Sequence, residues 1–470
     1  MSSHRFRVLS ALPLALLAAA CRGGAPDAPG NGAASAAEQT TSGGEVAPAV
    51  SPADSAAAAP TAGAPACAPD GGGITVPAGF CATVFADSVG GARHVAVAPN
   101  GDVFVALQTP RRRDADESGQ TARGGILALR DRDGDGRAEA RELFGDGGGT
   151  GIAVAPGWVY VDAGPRILRY PVPAGQLRPT GEPQVIVDGL PMGGHAAHSF
   201  ALDGRGTLYV NVGSRSNACQ VQDRQKGSPG ASPCTELETR AGIWRYRADA
   251  QNQQFSAAER HATGIRNAVA LTVAPDGSLW AAQHGRDQLF QNWPEHFDAQ
   301  ESAENPAEEL LRVAAGDDFG WPYCYYDRGQ RKRVLAPEYG GDGTQVGRCA
   351  QPKAPAATFP GHWAPMSVLF YTGRQFPARY RQGAFVAFHG SWNRAPLPQG
   401  GYLVAFVPLR DGRAAGEFET FADGFAGRAP LAQPSDARHR PVGLAQAPDG
   451  GVYVTDDVRG RIWKIVHTGR

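Results

Sequence analysis

LTVAPDGSLWAAQ, residues 271–283, reads as an apolar run, a Pro-Asp-Gly turn and a second run that carries an aromatic. A turn of this composition between two runs of period two specifies a β-hairpin, because glycine supplies the backbone conformation that a tight turn needs. The pattern recurs as VAVAPNGDVFVAL (95–107), IAVAPGWVYVDA (152–163), FALDGRGTLYVNV (200–212) and LAQAPDGGVYVTD (444–456). A looser copy with a longer turn runs from SVLFYTG (367–373) to GAFVAFHG (383–390). Each copy is followed by a further strand-like run, such as GGILALR (124–130), AGIWRYR (241–247) or GRIWKIV (460–466). Six copies of a three-to-four-strand unit with almost no helical periodicity predict an all-β chain, a six-bladed β-propeller of four-stranded antiparallel blades. The copies are irregularly spaced, so the excess length belongs to loops, where function concentrates.

In a tight hairpin the residues just before the first strand and just after the second lie at the same end. Listing those flanks amounts to listing one face of the disc. Before the first strands stand Arg93-His94, His195 with His198, Arg266-Asn267, His362-Trp363 and Arg440. After the second strands stand Ser214-Arg215, His284-Gly285-Arg286, His389 through Arg394 (HGSWNR) and Asp456-Asp457. Only the second copy lacks such residues. Arginines and histidines therefore converge on the mouth of the central channel, where propellers hold small molecules. The opposite face receives mostly Gly, Asp and Asn.

Guanidinium groups bind carboxylates bidentately and stack on flat rings, so this mouth suits a planar, multiply anionic ligand. A histidine beside it could serve as a general base near neutral pH. His195 and His198 form an H-x-x-H pair, but no third metal ligand is fixed by spacing and no H-E-x-x-H occurs. Walker, G-x-S-x-G and dinucleotide motifs are absent; GGGTG at 147–151 precedes a strand, not a helix.

Residues 1–21, MSSHRFRVLSALPLALLAAAC, combine a basic start, an apolar run and small residues before a cysteine. That is the pattern of a secretory signal, and the placement of Cys21 is that of a bacterial lipoprotein with a lipidated cysteine. Residues 22–66 are almost entirely Ala, Gly, Pro, Ser and Thr and read as a disordered linker. The propeller domain is expected over 67–470. These features predict a periplasmic, lipid-anchored protein at the outer membrane, with secretion as the alternative, touching membrane only through its lipid. The net charge of −1 argues against nucleic acid as a partner. The basic runs Arg111-Arg112-Arg113 and Arg331-Lys332-Arg333 read as solvated loop faces.

Export agrees with the cysteines. Apart from Cys21, the other six fall in local couples, Cys67 with Cys81, Cys219 with Cys234 and Cys324 with Cys349. Six cysteines allow 15 connectivities, and nearest-neighbour pairing closes three short loops in an oxidising compartment. No C-x-x-C occurs, which argues against thiolate zinc and thioredoxin-like chemistry.

The segments GHAAHSFALDGRGTLYVNVGSRSN, GIRNAVALTVAPDGSLWAAQHGRDQ, APMSVLFYTGRQFPARYRQGAFVAFHGSWNR and RPVGLAQAPDGGVYVTDDVRGRIWKI resemble the glucose/sorbosone dehydrogenases, the sorbosone branch fitting best, over roughly residues 75–467. Those are six-bladed propellers that use pyrroloquinoline quinone. The resemblance implies that His195, not His198, is the base that takes a hydroxyl proton as hydride leaves for the quinone. It implies cofactor contacts from Arg266, Asn267 and His284, and carboxylate partners in Arg93, Arg394 and Arg440. Calcium beside the quinone would be held by backbone carbonyls of Gly285 and Arg286. Arg286 departs from the Gly-Pro that soluble glucose dehydrogenases have there, which leaves the second carbonyl open. Glucose specificity is not implied, because the loops that would set it are the least alike.

DRDGDGRAEARE (131–142) matches an EF-hand calcium loop at Asp131, Asp133, Asp135, Gly136 and Glu142, although a strand rather than a helix precedes it. The alternative reading is an Asp/Gly hairpin turn. Together these features predict a quinone- and calcium-dependent dehydrogenase oxidising an aldose or aldehyde. With no C-x-x-C-H for its own haem, it would pass electrons to an external periplasmic acceptor. A non-catalytic binding propeller and a metal-dependent lactone-hydrolysing propeller are the rivals; the second needs acidic ligands at the mouth.

Overall fold

A computed structural model describes residues 67–109, 124–145 and 148–469. The signal, Cys21, the linker and the run Arg111–Arg113 lie outside the described residues. Among the described residues the chain builds six radial sheets, each with four antiparallel strands at its centre. Blade 1 runs Ala92–Val97, Val103–Leu107, Gly125–Arg130 and Ala140–Phe144, and blades 2 to 5 follow in sequence order. Blade 6 contains Pro441–Gln446, Val452–Asp456 and Ile462–His467, and its outer strand is the N-terminal segment Phe80–Ala86. That strand pairs antiparallel with the last one, Phe80 opposite His467, and closes the ring.

Strand periodicity explains the stacking. Successive side chains of a strand point to opposite faces, and in a ring of blades both faces are covered. Phe104 packs towards blade 2, with Ile152 and Val159, while Val105 packs towards blade 6, with Tyr453 and Ile462. All five residues of Val103–Leu107 are accordingly buried. Six apolar clusters of this kind fill the six gaps between neighbouring blades. The hairpin turns behave as their sequences require: Gly101, Gly277 and Gly450 adopt φ of 93°, 83° and 90°.

Blades 3 and 4 also carry a satellite on the mouth face. Disulfides Cys219–Cys234 and Cys324–Cys349 close two of its loops, and Cys67–Cys81 ties the N-terminal segment to its own strand. Small apolar groups sit beneath it, one around Leu289, Phe297 and Tyr325, another around Trp321 and the Cys219–Cys234 bridge. A short helix, Ala299–Glu304, starts on an Asp298/Glu301 capping box.

Candidate active site

The channel mouth opens into a cleft of about 820 Å³, the size range of a cofactor site. Residues from every blade reach it. Arg93 comes from blade 1, His195 and Asn267 from the entries to blades 3 and 4, His389 from the end of a blade 5 strand, and Arg440 from the entry to blade 6. The blade 2 sector, which lacked functional flanks in the sequence, contributes Thr150 and Asp162 beside Gly148, Gly149 and Gly164.

His195 and His198 have opposite fates. His195 Nδ1 lies 2.9 Å from the carbonyl of Ser214. A carbonyl only accepts, so the proton sits on Nδ1 and Nε2 carries the lone pair. Nε2 has no protein partner among the described residues. Burial and the nearby positive charge of Arg266 pull the imidazole down to about 3, so it is neutral at neutral pH and its Nε2 lone pair is available. Gly213 permits this placement, because a Cβ there would come within 2.6 Å of the His195 Cβ. His198 is fully buried, and its two ring nitrogens lie 2.8 and 3.1 Å from the carbonyls of Gly164 and Pro191. The pair cannot share a metal, because His198 is spent between blades 2 and 3.

Arg93 and Arg440 face the cleft from a fixed frame. Arg93 Nη1 pairs with Asp457 at 2.6 Å, and its Nε and Nη2 donate to the Thr150 hydroxyl. The other oxygen of Asp457 meets His389 Nε2 at 2.8 Å. The adjoining His389 and Arg93 charges hold the buried Asp457 carboxyl well below its usual range. Arg440 donates to the carbonyls of His389 and Gly390 at 2.9 and 2.7 Å, leaving Nη1 without a protein partner. Asn267 lines the cleft with its Nδ2 free, its Oδ1 accepting from Asn211. His284 donates from Nε2 to the Pro365 carbonyl at 2.8 Å, and burial lowers it to about 4, so its Nδ1 is a second free lone pair at the mouth.

The structure does not bring Arg266, Arg394, Gly285 or Arg286 to the cleft lining. Arg266 is 3% exposed and donates to Asn217 O, Asn217 Oδ1, Gly285 O and Asp287. Arg394 is consumed by the carbonyls of Ala303 and Gly361 and by Glu304. Arg286 forms a buried pair with Glu338 at 2.6 Å. The flank pattern put all four at the mouth and could not show that the satellite takes up the three arginine side chains and the Gly285 carbonyl. It also left Thr150, Asp457 and Trp392 without roles. Asp457 and Trp392 stood in the flank list, whereas nothing local marked Thr150.

The acidic loop lies between the outer strands of blade 1, on the face opposite the cleft, beside the Asp102–Arg130 pair. Ligand atoms of Asp131, Asp133, Asp135 and Glu139 come within 4.8 Å of one another. Glu142 is not among them. It lies in the strand Ala140–Phe144 opposite Ala128 and pairs with Arg178 at 2.6 Å. The twelfth position of an EF-hand rides on an exiting helix, and here a strand leaves the loop instead.

The six-bladed fold and its cationic mouth agree with the class that the sequence resembles, the quinone-dependent sugar dehydrogenases. Within that class, a family profile described as TrAA12-like matches residues 74–468, and the chain belongs to that family. The iodide structure of the Trichoderma reesei Carbohydrate-Active Enzymes Family AA12 protein superposes with a TM-score of 0.68 at 18% identity, covering 84% of this chain and 98% of that one. The holo pyranose dehydrogenase PQQ domain from Coprinopsis cinerea gives 0.65 at 19%, covering 84% and 97%. In sequence, the pyrroloquinoline quinone-dependent pyranose dehydrogenase of Coprinopsis cinerea is 28% identical over 244 residues, 43% of this chain and 30% of that protein. An uncharacterized protein of Borreliella burgdorferi is 28% identical over 217 residues, 44% of this chain and 48% of its own. The matched segments thus span less than half of either curated relative.

Proposed function

We propose that this protein is a pyrroloquinoline quinone-dependent dehydrogenase that oxidises an aldose or related aldehyde. The observation that carries the reading is His195: its Nδ1–H is fixed on the Ser214 carbonyl and its free Nε2 lone pair faces a cleft walled by Arg93 and Arg440. The cleft fits the cofactor, a flat tricarboxylate. Arg440 Nη1 and Asn267 Nδ2 are donors without protein partners, and Arg93 adds fixed positive charge. When bound, the quinone supplies a carbon that accepts hydride. His195 Nε2 would take the proton of the anomeric or hydrated-aldehyde hydroxyl as hydride leaves the substrate carbon that bears it. The Ser214 carbonyl holds the correct tautomer, and His284 and Asn267 complete the floor.

The calcium site expected from the sequence does not fit. The Gly285 carbonyl already accepts from Arg266 at 2.9 Å, and Gly285 and Arg286 lie outside the cleft lining. A cation beside the quinone would need other oxygens of the cleft. The two carboxylates at the mouth are also committed, Asp457 to Arg93 and His389, Asp162 to three backbone amides. That leaves a lactone-hydrolysing metal site without the free acidic ligands it needs. A separate periplasmic acceptor would remove the electrons, and the signal at 1–21 supports an outer-membrane lipoprotein.

The test uses the full chain, titrated with the quinone by fluorescence quenching and then assayed by dye reduction with aldoses, sorbosone and simple aldehydes. His195→Ala should lose about 10²- to 10⁴-fold in kcat while keeping quinone affinity. Absence of quinone binding by the wild type would overturn the reading.

A further inference from the structure

The segment HGSWNR, residues 389–394, is held at nearly every position but one. The Ser391 hydroxyl donates to Gln399 Oε1 at 2.6 Å, and its carbonyl accepts from the Tyr402 hydroxyl at 2.6 Å. Asn393 donates to Asp287 at 2.7 Å. Arg394 reaches the carbonyls of Ala303 and Gly361, and the His389 and Gly390 carbonyls accept from Arg440. Between these anchors Trp392 is 54% exposed and lines the cleft. A large apolar ring is ordinarily buried; here the backbone on both sides is fixed and the indole is left open. From the blade 3 side Met192, 51% exposed, also lines the cleft, its carbonyl pinned by Arg240 at 2.6 Å. The rest of the lining is mainly glycine, alanine and polar groups.

We propose that Trp392 is the platform for the C–H face of a ring-form sugar, so that the cleft selects cyclic sugars over small aldehydes. A pyranose ring has the matching two-sidedness. Its axial C–H bonds form an apolar patch for the indole, and its hydroxyls point outward to polar neighbours such as Asn267 and His195. A short-chain aldehyde has no such face and gains nothing from the indole. The inference rests on the dehydrogenase reading for its kinetics, but not for its binding.

The experiment therefore has two arms on the full chain. In saturation-transfer NMR with methyl glucopyranoside, whose ring cannot open, the wild type should transfer magnetisation to ring C–H protons. Trp392→Ala should lose the transfer and Trp392→Phe should keep part of it. In quinone-loaded enzyme, Trp392→Ala should raise KM for aldoses about tenfold, the equivalent of some 1.4 kcal/mol of lost contact. KM for propionaldehyde and for the dye should be unchanged. An equal rise for propionaldehyde, or a rise for the dye alone, would overturn the proposal; the second would make Trp392 a docking residue for the electron acceptor. Loss of NMR transfer in a wild type-versus-variant comparison where neither protein oxidises any aldose would keep the platform and sink the dehydrogenase reading.

Discussion

Four arginines occupy comparable flanks of the mouth, and they divide in two. Arg93 and Arg440 keep part of their guanidinium surface in the cleft, whereas Arg266 and Arg394 give all of theirs to carbonyls and carboxylates beneath the satellite. The difference lies in what surrounds them. Arg93 meets two side chains at neighbouring strand ends, Asp457 and Thr150, and Arg440 meets the carbonyls of His389 and Gly390. Blades 3 and 4 have long loops there, whose many main-chain carbonyls need donors, and a buried arginine supplies five. The same residue type is thus a ligand partner on one side of the ring and internal scaffolding on the other.

Substitutions should separate the two sets. Arg266→Ala strips one partner from a buried pair, leaving Asp287 to Arg224 and Asn393 and the Gly285 carbonyl without its donor, so a stability loss of about 3 kcal/mol is expected, read by denaturant melts. Arg440→Ala should do the reverse, with quinone affinity down by about 10²-fold and the melt nearly unchanged; equal effects on both readouts in both variants would erase the distinction. Asp457→Asn should fall between. It loosens Arg93 and His389 together, and quinone affinity should drop about tenfold, with little further loss in the double variant with Arg93→Ala, because the aspartate acts through the arginine.

Acid should expose the histidines of the mouth. His94 and His284 are each lowered from 6.5 to about 4, first by burial. Between those values the unfolded chain binds protons that the folded one refuses, so stability rises with pH across that window and is lost as pH falls through it. Tm is expected to fall by something on the order of 5 °C between pH 6.5 and 4.5, and His284→Gln should shallow the slope. The smallest effect belongs to the far face. Added calcium that raises Tm would mark the acidic loop as a cation site; that rise should vanish in Glu139→Gln and persist in Glu142→Gln, whose exposed partner Arg178 contributes under about 1 kcal/mol.

The repeats made the blades and the functional face legible, because alternation and turn chemistry are local and each hairpin carries its own copy. The position of His195 at the mouth was legible for the same reason, since its distance from the turn is fixed by the strand that follows, whereas its part as a base came only from the resemblance. The destinations of Arg266 and Arg394 were not, because Asn217, Asp287, Ala303 and Glu304 reach them only through loops that carry no periodic signal. Glu139 was missed for a smaller reason. The motif assumed a helix after the loop, and the strand that replaces it turns Glu142 towards Arg178.

One feature of the ring sets when it can exist at all. Blade 6 takes its outer strand from Phe80–Ala86 and its other three from Pro441–His467. While the chain emerges, the first strand has no mate until the last residues follow, and the gaps that blade 6 seals towards blades 5 and 1 stay open. The cleft shares that dependence, since Arg93 comes from near one end of the chain and Arg440 and Asp457 from the other. An incomplete chain therefore has neither a closed ring nor a finished site, and binding competence becomes a built-in proof of full-length synthesis.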